Sequence, residues 1–266
     1  MRVEADLVLG LRAAGCVFAE DEARLLLEAT DDSDALEALV ARRVAGEPLE
    51  QVLGWAEFGG LRLHLEPGVF VPRHRTEFLA AVAAQFVRDR ADSQRGAPPV
   101  VVDLCCGIGA IGAMLADVAG PIDLVAADVD AAAVRAARRN LEPRGARVFE
   151  GDLYDALPDD LRGRVDVLAV NAPYVPTDEI ALMPPEAREH EARVALDGGG
   201  DGLDVHRRVV ASAARWLAPG GMLLIETSER QASTAADLMR EGGLAPRVMN
   251  DEDDGTIVVG EAPSAR

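Results

Sequence analysis

Asn171-Ala172-Pro173-Tyr174 gathers a carboxamide, two carbonyls and an aromatic ring at the end of an apolar run, Val165–Val170. The run is rich in β-branched residues and reads as a buried strand. Pro173 has no N–H for a ladder and pushes Ala172 toward an extended conformation, so the chain leaves the sheet at Asn171. Open α/β sheets bind ligands at the carboxyl ends of their strands. An ordinary turn after a strand uses the same residue types, so the neighbouring chemistry has to decide.

That chemistry is acidic. Asp103 ends an earlier apolar run and is followed by Gly107, Gly109 and Gly112, a literal G-x-G-x-x-G opening a helix. In dinucleotide sites this pattern places a pyrophosphate on the helix N-terminus. Here a carboxylate stands before the glycine turn, where it repels a pyrophosphate and favours a cation. S-adenosylmethionine, with a sulfonium, an ammonium and no phosphate, has the matching sign. Asp128, at the end of the next strand, stands where an acid accepts from both hydroxyls of a ribose. Asp152, after the third strand, is placed to take the exocyclic amine of an adenine, with Leu153 against the ring. Each acid alone could be a helix N-cap, and Asp130 is read as one. Acids at successive strand ends point instead to a nucleoside-bearing cation.

The elements that position these residues follow from periodicity. Residues 2–45 read as three helices. Val3, Leu7 and Leu11 mark the first, which Gly15 stops. Ser33 opens the third, with Leu36, Leu39, Val40 and Val44 on one face. Phe58-Gly59-Gly60-Leu61 predicts a hairpin turn, and 69–71 a further strand. Thr76 can cap a helix through Phe86, and residues 89–99 read as a loop. From Val100 strands alternate with helices, predicting a mainly parallel sheet covered on both faces. The last two strands, joined by the acidic turn 251–255, must be antiparallel.

Composition narrows the function. The chain has 266 residues and a net charge of −19, which opposes a phosphate-tracking surface. Arg135–Arg139 and Arg207-Arg208 read as solvated helix faces. Cys16, Cys105 and Cys106 give neither a disulfide framework nor a metal spacing. With no signal peptide pattern and no membrane-length apolar run, the expected location is cytoplasmic. His64 and His74 have no partner motif and read as exposed or structural.

In combination these segments resemble the PrmC/HemK-type protein-(glutamine-N5) methyltransferases, whose substrate motif is Asn-Pro-Pro-Tyr. The resemblance covers nearly the whole chain. It rests on 46–54 with Phe58, 67–73 with Thr76-Glu77, 103–109, Asp128, 171–174, 195–199 and 201–204. It implies a Rossmann-like seven-stranded sheet, mostly parallel with one antiparallel strand. It further implies a helical substrate-recognition domain (1–50), a β-hairpin connector (51–74) and an S-adenosylmethionine-dependent domain (75–266). Asn171, Ala172, Pro173 and Tyr174 would hold the glutamine of a peptide-chain release factor or another translation protein. Asp103, Leu104, Cys105, Cys106, Gly107, Gly109, Asp128, Val129, Asp152, Leu153 and Asn171 would hold the cofactor, with no metal. The chain departs from the family pattern at Ala172, where proline is usual. It also departs at His74-Arg75 (Pro and an acid), Cys105-Cys106 (Gly and Thr) and Ala192 (Pro). An adenine-N6 or small-molecule N-methyltransferase and a non-catalytic binding module are the alternative readings.

Overall fold

The computed structural model of the protein describes residues 2–93, 97–252 and 255–264. Three helices, α1 (Arg2–Ala13), α2 (Ala19–Ala29) and α3 (Ser33–Val44), pack around Leu7, Leu11, Ala23 and Leu26. Gly15, at φ +95°, ends the first turn sequence, as its left-handed backbone allows. Asp32, not Ser33, caps α3, accepting from the amides of Asp34 and Ala35. Leu36, Leu39 and Val40 face the small core, but Val44 is exposed. A short α4 (Leu49–Leu53), absent from the periodicity reading, ends at Gly54 in the left-handed region.

The hairpin forms as expected from β1 (Trp55–Phe58) and β2 (Leu61–His64), turning at Gly59-Gly60. It docks through Asn140, whose carboxamide accepts from the His64 amide and donates to the carbonyls of His64 and Ile108. The expected strand at 69–71 is not a strand. Side chains satisfy its backbone instead of a ladder: Gln51 donates to the Val69 carbonyl and Glu191 accepts from the Val71 amide. The helix α5 (Thr76–Ser93) runs into the stretch read as a loop; residues 94–96 of that stretch lie outside the described residues.

The remaining elements alternate: β3 (Val100–Leu104), α6 (Ala110–Val118), β4 (Asp123–Asp128), α7 (Ala131–Leu141), β5 (Arg147–Glu150), β6 (Val165–Val170), α8 (Pro185–His190), α9 (Asp204–Trp216), β7 (Leu217–Glu226), α10 (Glu229–Glu241), β8 (Ala245–Asn250) and β9 (Thr256–Glu261). They build a seven-stranded sheet in the order β5-β4-β3-β6-β7-β9-β8, in which β9 alone runs antiparallel to its neighbours. Of the acidic turn between β8 and β9, residues 253 and 254 lie outside the described residues.

Strand residues alternate between two cores. Val101, Val167, Ala169, Leu224 and Val259 face α5, α6 and α7, while Val102, Leu168, Val170, Leu223 and Val258 face α9 and α10. Both faces are covered, which is why β3 and β6 read as near-continuous apolar runs, each broken by one aspartate, rather than alternating ones. Each fully buried Val or Leu here contributes roughly 1.5–3 kcal/mol. The order reverses between β3 and β6, so their carboxyl ends, Leu104 and Val170, open a crevice. Among the described residues no helix is long and apolar enough to cross a membrane.

Candidate active site

A cavity of about 300 Å³ fills that crevice, at the small end of ligand-site volumes. The ends of β3 to β6 supply its floor through Cys105, Gly107, Asp128, Asp152 and Leu153 on one side and 171–174 on the other. Met183 and 194–196 form an outer wall, with Val69, Phe70 and Arg73 from the segment before α5.

Asn171 is held in a definite orientation. Its Nδ2 donates to Thr76 Oγ1 at 3.2 Å, which leaves Oδ1 for a ligand. Thr76 is thus the first residue of α5 and a partner of the site. We expect Thr76→Val to lower kcat about fivefold, from loss of one hydrogen bond near 1 kcal/mol, with Tm little changed. A rate equal to wild type would show that Asn171 needs no such support.

The loop after Asn171 is fixed through its backbone. Gly198 and Gly202 press against it: a Cβ at Gly202 would stand 2.3 Å from the Tyr174 carbonyl oxygen, and one at Gly198 2.8 Å from that of Pro173. Gly202 also sits at φ +79°. Gly202→Ala should therefore cost about 1–3 kcal/mol and displace Tyr174. Chemical denaturation measures the first effect and acceptor KM the second; wild-type values for both would refute the close approach.

The acids at the strand ends are not equivalent. Asp103 is fully buried behind the cavity wall; Oδ2 accepts from the Gly112 amide at 2.8 Å, and Oδ1 has no partner. Burial raises its pKa to about 8, against the pull of the Gly112 N–H. Burial thus favours the protonated form near neutrality, against the expectation of a fixed charge there. Leu104, Cys106 and Gly109 also stand outside the cavity lining. Leu104 is enclosed between β4 and β6, Cys106 belongs to the core, and Gly109 packs on Leu141.

Asp128 does line the cavity. Its two oxygens accept from the Gly107 and Asp130 amides, and burial pushes its pKa up. Val129 lies beside it, and Asp130 caps α7 as expected. Asp152 Oδ2 accepts from Arg208, which is exposed on α9 as expected and also lines the cavity. Burial raises the Cys105 and Cys106 thiols, keeping both in the unreactive form. His64 and His74 do not line the cavity.

Two features fit a nucleoside-bearing cation better than a dinucleotide. The glycine-loop amides are already engaged: Gly107 N–H with Asp128, Gly109 N–H with the Cys106 carbonyl and Gly112 N–H with Asp103. None of these three is left for a pyrophosphate. The second is the unpartnered buried oxygen of Asp103, whose ionised form a nearby cation favours and a pyrophosphate opposes. Strain marks the same place: among the described residues the non-glycine positions with positive φ are Cys105 (φ 58°) and Leu153 (φ 51°), and both line this cavity. Glycine is favoured at such a backbone, which gives a physical reason for the residue usual at position 105 in the resembled family.

Comparison with known proteins places this geometry. Residues 61–201 match the methyltransferase small domain family. A release factor glutamine methyltransferase of Geobacter sulfurreducens is 39% identical over 212 residues, covering 79% of this chain and 71% of that one. The chain belongs to the PrmC/HemK-type protein-(glutamine-N5) methyltransferase family. A second relative of this methyltransferase is the 4-amino-L-phenylalanine/4-methylamino-L-phenylalanine methyltransferase of Streptomyces pristinaespiralis. It is 41% identical over 205 residues, covering 77% of this chain and 69% of that one. The solved methyltransferase of Pyrococcus furiosus shares the fold, with a TM-score of 0.55 at 16% identity over 84% of this chain and 97% of that one.

Sequence reasoning on this methyltransferase missed Met183, 194–196 and Arg208 as cavity residues. Met183, Val194 and Arg208 come from loops and a helix with no motif of their own, and Ala195 and Leu196 open a segment whose likeness to the family assigns them no role. Arg75 and Thr76 were visible as residues, but not as neighbours of Tyr174 and Asn171, because those pairs are remote in sequence.

Proposed function

We propose that this enzyme transfers a methyl group from S-adenosylmethionine to the side-chain amide nitrogen of a glutamine in a protein, a peptide-chain release factor or another translation protein. The observation that carries the reading is the orientation of Asn171. With Nδ2 turned to Thr76, Oδ1 accepts one amide hydrogen of the glutamine and the Ala172 carbonyl accepts the other. The second role needs only a backbone oxygen, so alanine in place of proline keeps it and gives up a fixed φ. Bound S-adenosylmethionine supplies a methyl group on a positively charged sulfur. Asp128 holds the ribose hydroxyls and Asp152 the adenine amine, with Leu153 packed on the ring. Cys105, Gly107 and Val129 line the same end of the cavity, while Asp103, Leu104, Cys106 and Gly109 support it from behind.

An amide nitrogen is a poor nucleophile, and the contribution of these residues is alignment, worth at most ~7–11 kcal/mol. Tyr174 packs on the flat amide, and Met183 and Val194 narrow the access of water. No residue need act as a strong base, because the nitrogen becomes acidic as it gains the methyl group. Residues 1–50 are read as the part that recognises the protein partner, 51–74 as the connector and 75–266 as the catalytic unit. Exposed Val17 and Phe18 on the helical unit support a surface for a partner. Incubation with labelled S-adenosylmethionine and purified release factor, followed by mass spectrometry, tests the reading. Label on a glutamine supports it, and a release factor that stays unlabelled removes that substrate.

One observation favours a second reading, a free aromatic amine as acceptor. The Streptomyces pristinaespiralis relative carries such a substrate in its name. Parallel incubation with 4-amino-L-phenylalanine separates the two. A nucleic-acid acceptor finds no support: the cavity arginines Arg73, Arg75 and Arg208 are each paired with a carboxylate.

A further inference from the structure

Behind Tyr174 lies a cluster that methyl transfer does not call on. Tyr174 Oη donates to Glu226 Oε1 at 3.0 Å and accepts from Arg75 Nη2 at 2.8 Å. Arg75 Nε reaches the same Glu226 oxygen at 3.3 Å, closing a ring of hydrogen bonds. The Tyr174 carbonyl accepts from Gln231 Nε2 at 3.0 Å, so the residue is held at both ends. Its ring meets that of His206 edge-on, with centroids 6.5 Å apart. His206 is fully buried, and burial lowers its pKa to about 4. It is therefore neutral, and its Nε2 lies 3.1 Å from the Glu226 carbonyl.

The cluster differs from an ordinary surface ion pair, which contributes little. Glu226 ends β7 with its side chain 2% exposed, and its second oxygen has no partner. A buried carboxylate loses much when a donor is removed. Arg75 and Tyr174 also line a second cavity of about 470 Å³ that continues past the phenol toward Thr227, Ser228 and Thr256. The hydrogen-bonded ring thus stands between the two spaces.

We propose that Arg75 and Glu226 are positioning residues that act through the Tyr174 hydroxyl, fixing its ring as one wall of the acceptor slot and separating that slot from the second cavity. The proposal rests on the reading that Tyr174 packs against the acceptor. It holds for an amide or an aromatic amine, since both are flat.

A double-mutant cycle tests it, with kcat and KM for the acceptor and calorimetric affinity for S-adenosylmethionine. Arg75→Ala and Tyr174→Phe are each expected to lower kcat/KM about tenfold, with cofactor affinity within twofold. If both act through one hydroxyl, Arg75→Ala combined with Tyr174→Phe falls no further than the worse single variant. Arg75→Lys restores part of the loss. A double variant whose losses multiply, near a hundredfold, overturns the proposal, as does a loss traced wholly to cofactor affinity. A readout independent of any acceptor separates failure of this proposal from failure of the site reading. The chain has two tyrosines, so carbon-13 labelling of their rings resolves Tyr174 by NMR. Slow ring flips in wild type that become fast in Arg75→Ala and in Glu226→Gln support the clamp even if no acceptor is methylated. Flip rates unchanged in both variants overturn it.

Discussion

Asn171→Ala is expected to lower kcat by about 10²–10³-fold, the usual cost of losing one preorganised hydrogen-bonding group at a reacting centre. Affinity for S-adenosylmethionine should stay within a few-fold. The reason is the economy of the site. Thr76 occupies the Nδ2 side of the carboxamide, so Oδ1 is the atom left to fix the acceptor nitrogen. On the proposed mechanism the Ala172 carbonyl would still accept one hydrogen, but the NH2 group could rotate and its lone pair would no longer be aimed. The loss should therefore fall on kcat rather than on cofactor binding. A variant that turns over at nearly the wild-type rate with intact cofactor affinity would sink the alignment mechanism. The contrast with Thr76→Val, for which about fivefold is expected, grades direct contact against support from one step behind.

The second large effect concerns stability. In the cofactor-free enzyme Asp103 has a folded pKa of about 8, raised by burial from an ordinary 3.8. Between those values the folded chain holds a proton that the unfolded chain has released. Stability is therefore fully present below about pH 4 as far as this group is concerned, and is lost as pH rises through 8. The difference across that window is on the order of 5 kcal/mol. Asp103→Asn removes the titration and should flatten the profile between pH 5 and 8, measured by urea unfolding without cofactor. Asp128 and Glu191, also raised by burial, leave a slope of the same sign in the variant, while His206, lowered by burial to about 4, adds one of the opposite sign below about pH 6.5. Saturating S-adenosylmethionine should flatten the wild-type profile too, since a nearby cation favours the carboxylate. Identical slopes for wild type and Asp103→Asn would show that Asp103 does not hold a proton in the folded enzyme.

Most of the scaffold was legible because its elements carry strong local signals. The apolar runs of β3 and β6, the glycine turn before α6 and the alternation after Val100 lead directly to the parallel sheet. The hairpin declared itself through Gly59-Gly60. The expected strand at 69–71 failed because β-branched apolar residues mark burial, not pairing; Val69 and Val71 are buried, yet side chains of Gln51 and Glu191 meet their backbone. In the site, the acids after β4 and β5 were readable as strand-end residues, and both line the cavity. Asp103 shows the limit of that logic. Its position was right, but its charge depends on complete enclosure between β4, β6 and α6, which spacing does not report. Arg208 shows a second limit: it is an exposed arginine of α9 as read, and it also lines the cavity. On a helical wheel it is an outward-facing arginine, and its role arises from Asp152, remote in sequence.

One further feature bears on how enzymes of this family could be recombined. Arg43, buried in α3, pairs with Glu22 of α2 and also reaches Glu186, at the start of α8, at 2.7 Å. Its guanidinium is thus common to the helical unit and to the segment that carries the outer wall of the cavity. Gln51 doubles the link, donating to the carbonyls of Val69 and His190. A chimera that exchanged residues 1–50 alone would separate Arg43 and Glu22 from Glu186 and present a foreign surface to the loop around the acceptor. The unit of exchange is therefore discontinuous in the gene: the amino-terminal helices and the 180–196 loop travel together.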